Sequence, residues 1–132
     1  MTATTETRRI ACAIYTRTAI ADPEELALER DLVEACIHAY CREPVTILPD
    51  RYEDDGASGN TTDRPGLRRL MADVAAGKIG RVVVERFDRL ARDQAVFAEL
   101  VAYLRKHGVE LVSNSVKETE IFGVLNRKDG DK

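Results

Sequence analysis

The sequence predicts an α/β fold: a mainly parallel sheet of four to five strands flanked by helices. Three observations lead there. Short runs with apolar centres recur at 9–15, 45–49, 79–87 and 109–113. Segments of helical periodicity separate them. Gly, Pro and capping residues stand at the junctions. Apolar runs that do not alternate with polar residues suit strands buried on both faces, as in parallel sheets. Their alternation with helices gives the class.

Residues 1–8 are polar and Thr-rich and are expected to form a flexible tail. RIACAIY (9–15) is the first strand. Asp22 is a candidate N-cap with Pro23 at the first helical position, and Glu24 and Glu25 complement the helix dipole. Leu28, Leu32, Ala35 and Ala39 recur at helical spacing and are expected to form the apolar face, up to about Tyr40. VTILP (45–49) is the second strand. DRYEDDGASGNTTDRPG follows as a long loop, and long loops in compact domains often carry function. Thr62 or Asp63 can cap the next helix, which has Pro65 in its first turn and runs to Gly77. IGRVVVERF (79–87) is the third strand, QAVFAELVAYLRK (94–106) an amphipathic helix closed by Gly108, and VELVS (109–113) the fourth strand. One domain is expected over 9–115, with an irregular tail at 116–132.

The 132 residues suffice for one domain with a core that needs no disulfide or metal. Hydrophobic residues at 44% and charged residues at 33% exclude a disordered or fibrous chain. No apolar run is long enough to span a membrane, and the N-terminus lacks the layout of a secretory signal, so a cytoplasmic protein is expected. The net charge of −3 argues against a domain that grips DNA unaided. Fifteen of the 20 basic residues are nevertheless Arg, the side chain suited to bidentate phosphate contact. GC-rich coding sequence gives the same bias. Cys12, Cys36 and Cys41 are odd in number and form no CxxC pair, which suits small buried hydrophobes in a reducing compartment. His38 and His107 read as surface residues. No metal ligand set and no cofactor motif is present.

In parallel sheets ligands sit beyond the carboxyl ends of the strands. YTRTA, EDDGASG and FDRLAR gather at such ends. They bring Arg17, Arg64, Arg89 and Arg92. Guanidinium groups can neutralise the transition state of phosphoryl transfer where no metal does so. Arg89 and Arg92 are three apart and share a face if a helix starts near Asp88. The other reading of that spacing is a solvated helix start with surface Arg–Asp pairs. The acids Glu53, Asp54 and Asp55 could suggest a receiver domain's metal pocket, but the first strand then ends in Arg17 where a receiver has acids.

YTRTA, DDGASG, TTDRPGLRRLMADVAAGKIGRVVV and RFDRLARD, in this order and spacing, resemble the catalytic domain of the serine recombinases, the resolvase/invertase family. The resemblance covers about residues 10–113. It implies a site in which a serine attacks a DNA phosphate, forms a 5′-phosphoserine link and lets cut ends exchange partners, with arginines instead of a metal or nucleotide. By motif it implies catalytic roles for Tyr15, Arg17, Asp55, Arg64, Asp88, Arg89 and Arg92, the four arginines holding phosphate. They are expected to converge beside residue 19, with Arg64, on its loop, the most mobile.

Position 19, where the family has its serine, is Ala19. A methyl group cannot attack phosphorus. Thr18 points to the opposite strand face unless the strand has ended, and Ser58 lies in the loop motif. The glutamine usual in the family's first helix is missing, with Asp31 or Val33 near its place. The family's long dimerising helix and DNA-binding domain have no counterpart in 116–132. The expectation is a recombinase catalytic domain that does not cleave, binds DNA weakly and self-associates or pairs with recombinase subunits. The alternative is a non-catalytic, recombinase-like regulatory protein.

Overall fold

A computed structural model describes residues 9–113 and 123–125. The expected tails at 1–8 and 116–132 fall outside it except for 123–125. Strand β1 (Ile10–Thr18) leads into helix α1 (Pro23–Tyr40), then β2 (Val45–Ile47) and β3 (Tyr52–Asp55). Helix α2 (Pro65–Ala75), β4 (Arg81–Val84), the single turn α3 (Phe87–Leu90), α4 (Gln94–Lys106), β5 (Glu110–Ser113) and β6 (Gly123–Leu125) complete the described chain. The sheet order is β2-β1-β4-β5-β6, and β3 also pairs with β1. All pairings are parallel except β5 with β6, so residues 123–125 form a strand where an irregular tail was expected.

Strand β1 organises the sheet. Its first half pairs with β2, from Ile10 opposite Val45 to Cys12 opposite Ile47. Its second half pairs with β3, from Tyr15 opposite Tyr52 to Thr18 opposite Asp55. The strand is therefore longer than its apolar run: Thr16, Arg17 and Thr18 are polar yet buried. Strand β3 lies inside the segment read as a loop. Its alternation is legible once found, since Tyr52 and Asp54 are buried and Asp55 is exposed.

Alternate residues divide between two cores, as the pleat requires. Ala13, Tyr15, Val82, Val84 and Leu111 face α2 and α4 with Leu67, Leu70, Leu100 and Leu104. Ile14, Val83 and Val112 face Val33 and Ile37 of α1. The expected apolar face of α1 is corrected here. Leu28 and Leu32 are 57% and 52% exposed, Ala35 and Ala39 are exposed, and the helix buries Leu26, Val33 and Ile37 together with Glu29 and Arg30. The helix carries two apolar faces, and periodicity alone does not say which meets the sheet. Asp22 does cap it, accepting from the Glu25 amide at 3.1 Å. Cys12 is buried and Cys36 half-buried; all three cysteines are free.

The start of α2 is capped by a residue distant in sequence, not by Thr62 or Asp63. Position Ncap is Arg64, which makes no side-chain cap. The carboxylate of Asp54 does so from β3, accepting from the Gly66 amide at 2.7 Å and the Leu67 amide at 2.9 Å. A carboxylate at a helix N-terminus meets unpaired N–H groups and the positive end of the dipole. Gly66 is required by this approach: a Cβ there would come within 2.3 Å of the Glu53 carbonyl oxygen. Asp54→Ala leaves these amides and the Tyr15 hydroxyl without their acceptor, and urea denaturation is expected to show a loss of about 3–5 kcal/mol. Asp54→Asn, which retains one acceptor oxygen, is expected to lose roughly half as much.

Candidate functional site

Two arginines enter the sheet's carboxyl end from different elements and do different work. Arg17, near the end of β1, is 1% exposed. Its Nε donates to the Arg89 carbonyl at 2.9 Å, Nη1 to the Ala57 carbonyl at 2.9 Å and Nη2 to the Asp88 carbonyl at 2.8 Å. It thus binds the loop after β3 to the turn α3. Burial, and then the charge of Arg64, pull its guanidinium below its ordinary pKa. Arg64 is fully buried. Its Nε donates to the Thr61 carbonyl at 2.8 Å and Nη1 to the Tyr15 hydroxyl at 3.0 Å, while Nη2 is buried without a partner. Arg64, expected from its loop position to be the most mobile of the four, is buried, and its guanidinium finds acceptors inside the protein.

Tyr15 completes a relay on the same face. Its hydroxyl accepts from Arg64 and donates to Asp54 Oδ2 at 2.7 Å. Burial and the Asp54 carboxylate push its pKa up, partly opposed by Arg64, so the phenol stays protonated. Asp54, not Asp55, is the acid in this network. Asp55 accepts from the Thr18 hydroxyl at 2.5 Å and the Asp22 amide at 2.8 Å, which hold its pKa below the usual carboxylate value. Thr18 also accepts from the Gly56 amide at 3.0 Å. Strand β1 continues through Thr18, and its hydroxyl serves the start of the next loop.

A cleft of about 530 Å³ opens beside Ala19, lined by Arg17, Ala19, Ser58, Gly59, Asn60 and Arg92. Ser58 carries the one hydroxyl among these residues, and its Oγ accepts from the Asn60 amide at 3.0 Å. Gly59 is needed here, because a Cβ would come within 2.8 Å of both Arg17 Nη2 and Arg92 Cγ. The Arg92 amide donates to the Gly59 carbonyl at 2.9 Å. Arg92 is exposed and stands outside α3, which ends at Leu90, so it shares no helix face with Arg89. Of the four expected arginines, Arg17 and Arg92 line the cleft.

Arg89 turns elsewhere. Its Nε lies 3.5 Å from Glu29 Oε2 of α1 and 3.6 Å from Glu85 Oε1. The Asp88 side chain is 3.5 Å from Arg86 Nη2, and its backbone carbonyl is the part that meets Arg17. Glu29 was not singled out from the sequence, where it reads as one more acid on an acidic helix. It is 5% exposed and both its carboxylate oxygens lack a hydrogen bond. Among the described residues no His, Cys, Asp and Glu group is arranged to hold a metal ion, and no helix is long and apolar enough to cross a membrane.

The family model for the resolvase N-terminal domain matches residues 12–124. The chain belongs to the resolvase family. This resolvase-family chain is 37% identical over 108 residues to a resolvase of Escherichia coli, covering 80% of the chain and 45% of that protein. It is 32% identical over 100 residues to a protein of Bacillus subtilis (strain 168) named for DNA recombination, covering 76% of the chain and 19% of that protein. The chain therefore spans less than half the length of either relative. Its fold matches the N-terminal catalytic domain of TP901-1 integrase with a TM-score of 0.69 at 27% identity, covering 78% of this chain and 76% of that one. It also matches a resolvase-family site-specific recombinase from Streptococcus pneumoniae, with a TM-score of 0.65 at 26% identity, covering 80% and 72%. The fold is that of serine-recombinase catalytic domains.

Burial raises the pKa of Glu29 to about 7, with Arg89 lowering it and Glu85 raising it. The folded state therefore holds the proton more tightly than the unfolded chain, whose glutamate titrates near 4.5. The stability this contributes is present below about 4.5 and is lost as pH rises towards 7. Urea denaturation at stepped pH should show Glu29→Gln gaining on the parent across that window, by about 3 kcal/mol at its top. A pH-independent difference between the two would mean that Glu29 is ionised and satisfied throughout.

Proposed function

We propose that the chain is the catalytic-domain portion of a site-specific DNA recombinase whose phosphate-holding groups are in place and whose nucleophile position is Ala19, so that it contacts DNA without cutting it. The observation that carries this reading is the cleft itself, in which Arg17, Arg92 and Ala19 meet. A serine hydroxyl at position 19 would face a phosphate held by those arginines. Its Oγ would form a bond to phosphorus, the bond from phosphorus to the 3′ oxygen would break, and the 3′ oxygen would leave as a hydroxyl after taking a proton. The result is a 5′-phosphoserine link. Alanine supplies neither the lone pair nor the proton.

Arg17 and Arg92 are the phosphate-contacting residues in this reading. Tyr15, Arg64 and Asp54 position β1 against α2, and Arg89 is a positioning residue through its carbonyl contact with Arg17. Asp55 holds the loop entrance through Thr18. Asp88 acts through its carbonyl. The reaction uses no metal or cofactor, and the chain works in the cytoplasm, where DNA is available to strand exchange or integration. Its partners are DNA and other recombinase subunits. The second reading, a non-catalytic regulator that pairs with active subunits, is favoured by Ala19 alone.

Covalent capture separates the two. A duplex that traps the cleaved intermediate, followed by denaturing electrophoresis, is expected to give no adduct with the parent chain and a shifted band with Ala19→Ser. An adduct from the parent that disappears in Ser58→Ala would assign the nucleophile to Ser58 and overturn the inactive reading. No adduct from Ala19→Ser, with its fold intact by circular dichroism, would leave the regulator. Binding of a random duplex by fluorescence anisotropy is expected to be no tighter than about 10⁻⁵ M at physiological salt, given the net negative charge.

A further inference from the structure

A second cavity, of about 460 Å³, adjoins the cleft and is built from α3, the residues after it and the first turn of α4. Arg92 lines both, so the two share a wall. The second cavity differs from the cleft in being aromatic. Phe87 and Phe97 stand with ring centroids 5.9 Å apart and planes tilted by 60°. Both pack against the main core yet are only half-buried, and both line the cavity. Ala91 adds no more than a methyl group to the lining. Gln94 and Phe97 are three apart on α4 and so share a face of it.

The polar part of the lining narrows the ligand. Arg86 and Arg92 are exposed, and Arg86 Nη2 lies 3.5 Å from Asp88 Oδ2. Two cations thus meet one carboxylate, and the lining is net positive. A purely apolar occupant would take water from Arg92 and Gln94 and offer no hydrogen bond in return. An inorganic anion would leave the two rings uncovered. A nucleotide satisfies both halves: its base has a π-face for a phenyl ring, its edge has donors and acceptors for the Gln94 amide and the Asp88 carboxylate, and its phosphate suits Arg92.

We propose that this cavity receives an unpaired base of the DNA strand whose phosphate lies against Arg92 in the cleft. The inference rests on the phosphate reading of the cleft and adds a base site to it. In a duplex both faces of each base are covered by its neighbours, so only a base that has left the stack can present a face to Phe87 or Phe97. The chain is therefore expected to prefer single-stranded DNA to a duplex of the same sequence. Stacking on phenyl rings tolerates any base, since every base has a π-face. The contact therefore favours unpaired DNA with little regard for sequence.

An NMR titration of the whole chain at low salt tests it, with a short single-stranded oligothymidylate and an abasic oligonucleotide of the same length as probes. The oligothymidylate is expected to shift the amides of Phe87, Ala91, Gln94 and Phe97 together with those of Ala19, Ser58 and Gly59. The abasic probe, which has the same phosphates and no bases, is expected to shift the second group alone. Phe97→Leu keeps an apolar side chain but loses the ring. It is expected to weaken oligothymidylate binding at least about fivefold and to leave abasic binding unchanged, whereas Phe97→Tyr keeps the parent's affinity. A misfolded variant would lose both probes and is recognised by circular dichroism; the titration of the parent then decides. Shifts confined to the cleft with both probes overturn the base site and leave the phosphate reading standing. Shifts at neither group overturn both. Oligothymidylate shifts confined to the cavity keep the base site and remove the phosphate reading. A duplex that shifts the cavity amides as much as a single strand overturns the requirement for an unpaired base, and thymidine monophosphate binding as tightly as the oligonucleotide overturns the assignment to DNA.

Discussion

The Asp54 carboxylate is the constraint from which the rest of the architecture follows. It accepts one hydroxyl and two backbone amides, all buried, at distances of 2.7–2.9 Å. A buried charge is tolerable only when its acceptor sites are met by donors. Meeting them fixes three elements at once. Tyr15 comes from β1, the amides from the first turn of α2, and the carboxylate from β3. Arg64, immediately before α2, is thereby delivered to the Tyr15 hydroxyl. The short strand β3 has little apolar surface of its own, and this polar junction anchors it.

The cleft inherits its shape from that junction, but its charge is distributed unequally. Arg64 sits inside the protein and Arg89 is drawn to the acids of α1 and β4's end. Clustered cations without an anion repel one another, and each of these three has its own set of partners: carbonyl acceptors for Arg17, a hydroxyl and a carbonyl for Arg64, and carboxylates at ion-pair distance for Arg89. Arg92 alone of the four stays exposed at the rim.

The class of fold, the helix starts at Asp22 and Pro65 and the family were legible in the sequence because they rest on local pattern and motif spacing. The expected Arg17 and Arg92 positions beside Ala19 were legible for the same reason. What was not legible depended on contacts distant in sequence. Strand β3 is four residues, two of them acids, and only pairing with β1 makes it a strand. The choice of Asp54 over Asp55 follows from which one points inwards, a matter of strand parity that a loop reading cannot supply. The apolar face of α1 was assigned to the wrong side because the helix has two such faces. Glu29 and Arg30, which share the buried side, are polar in every composition-based account. Arg89 departed from its motif neighbours because Glu29 was not expected to reach it.

The internal bonds of Arg17 have a consequence for how an anion would be recognised. A guanidinium has five N–H donors, and three of Arg17's are engaged by backbone carbonyls. The side chain's rotamers, worth about 2 kcal/mol of entropy when free, are thus frozen on folding and not on binding. A phosphate in the proposed site would meet a guanidinium plane already set at one angle. If Arg17 holds a phosphate as proposed, its recognition would be rigid and directional. Under the proposed function the two arginines would therefore act differently, Arg17 through an orientation set on folding and Arg92 through a side chain exposed at the rim.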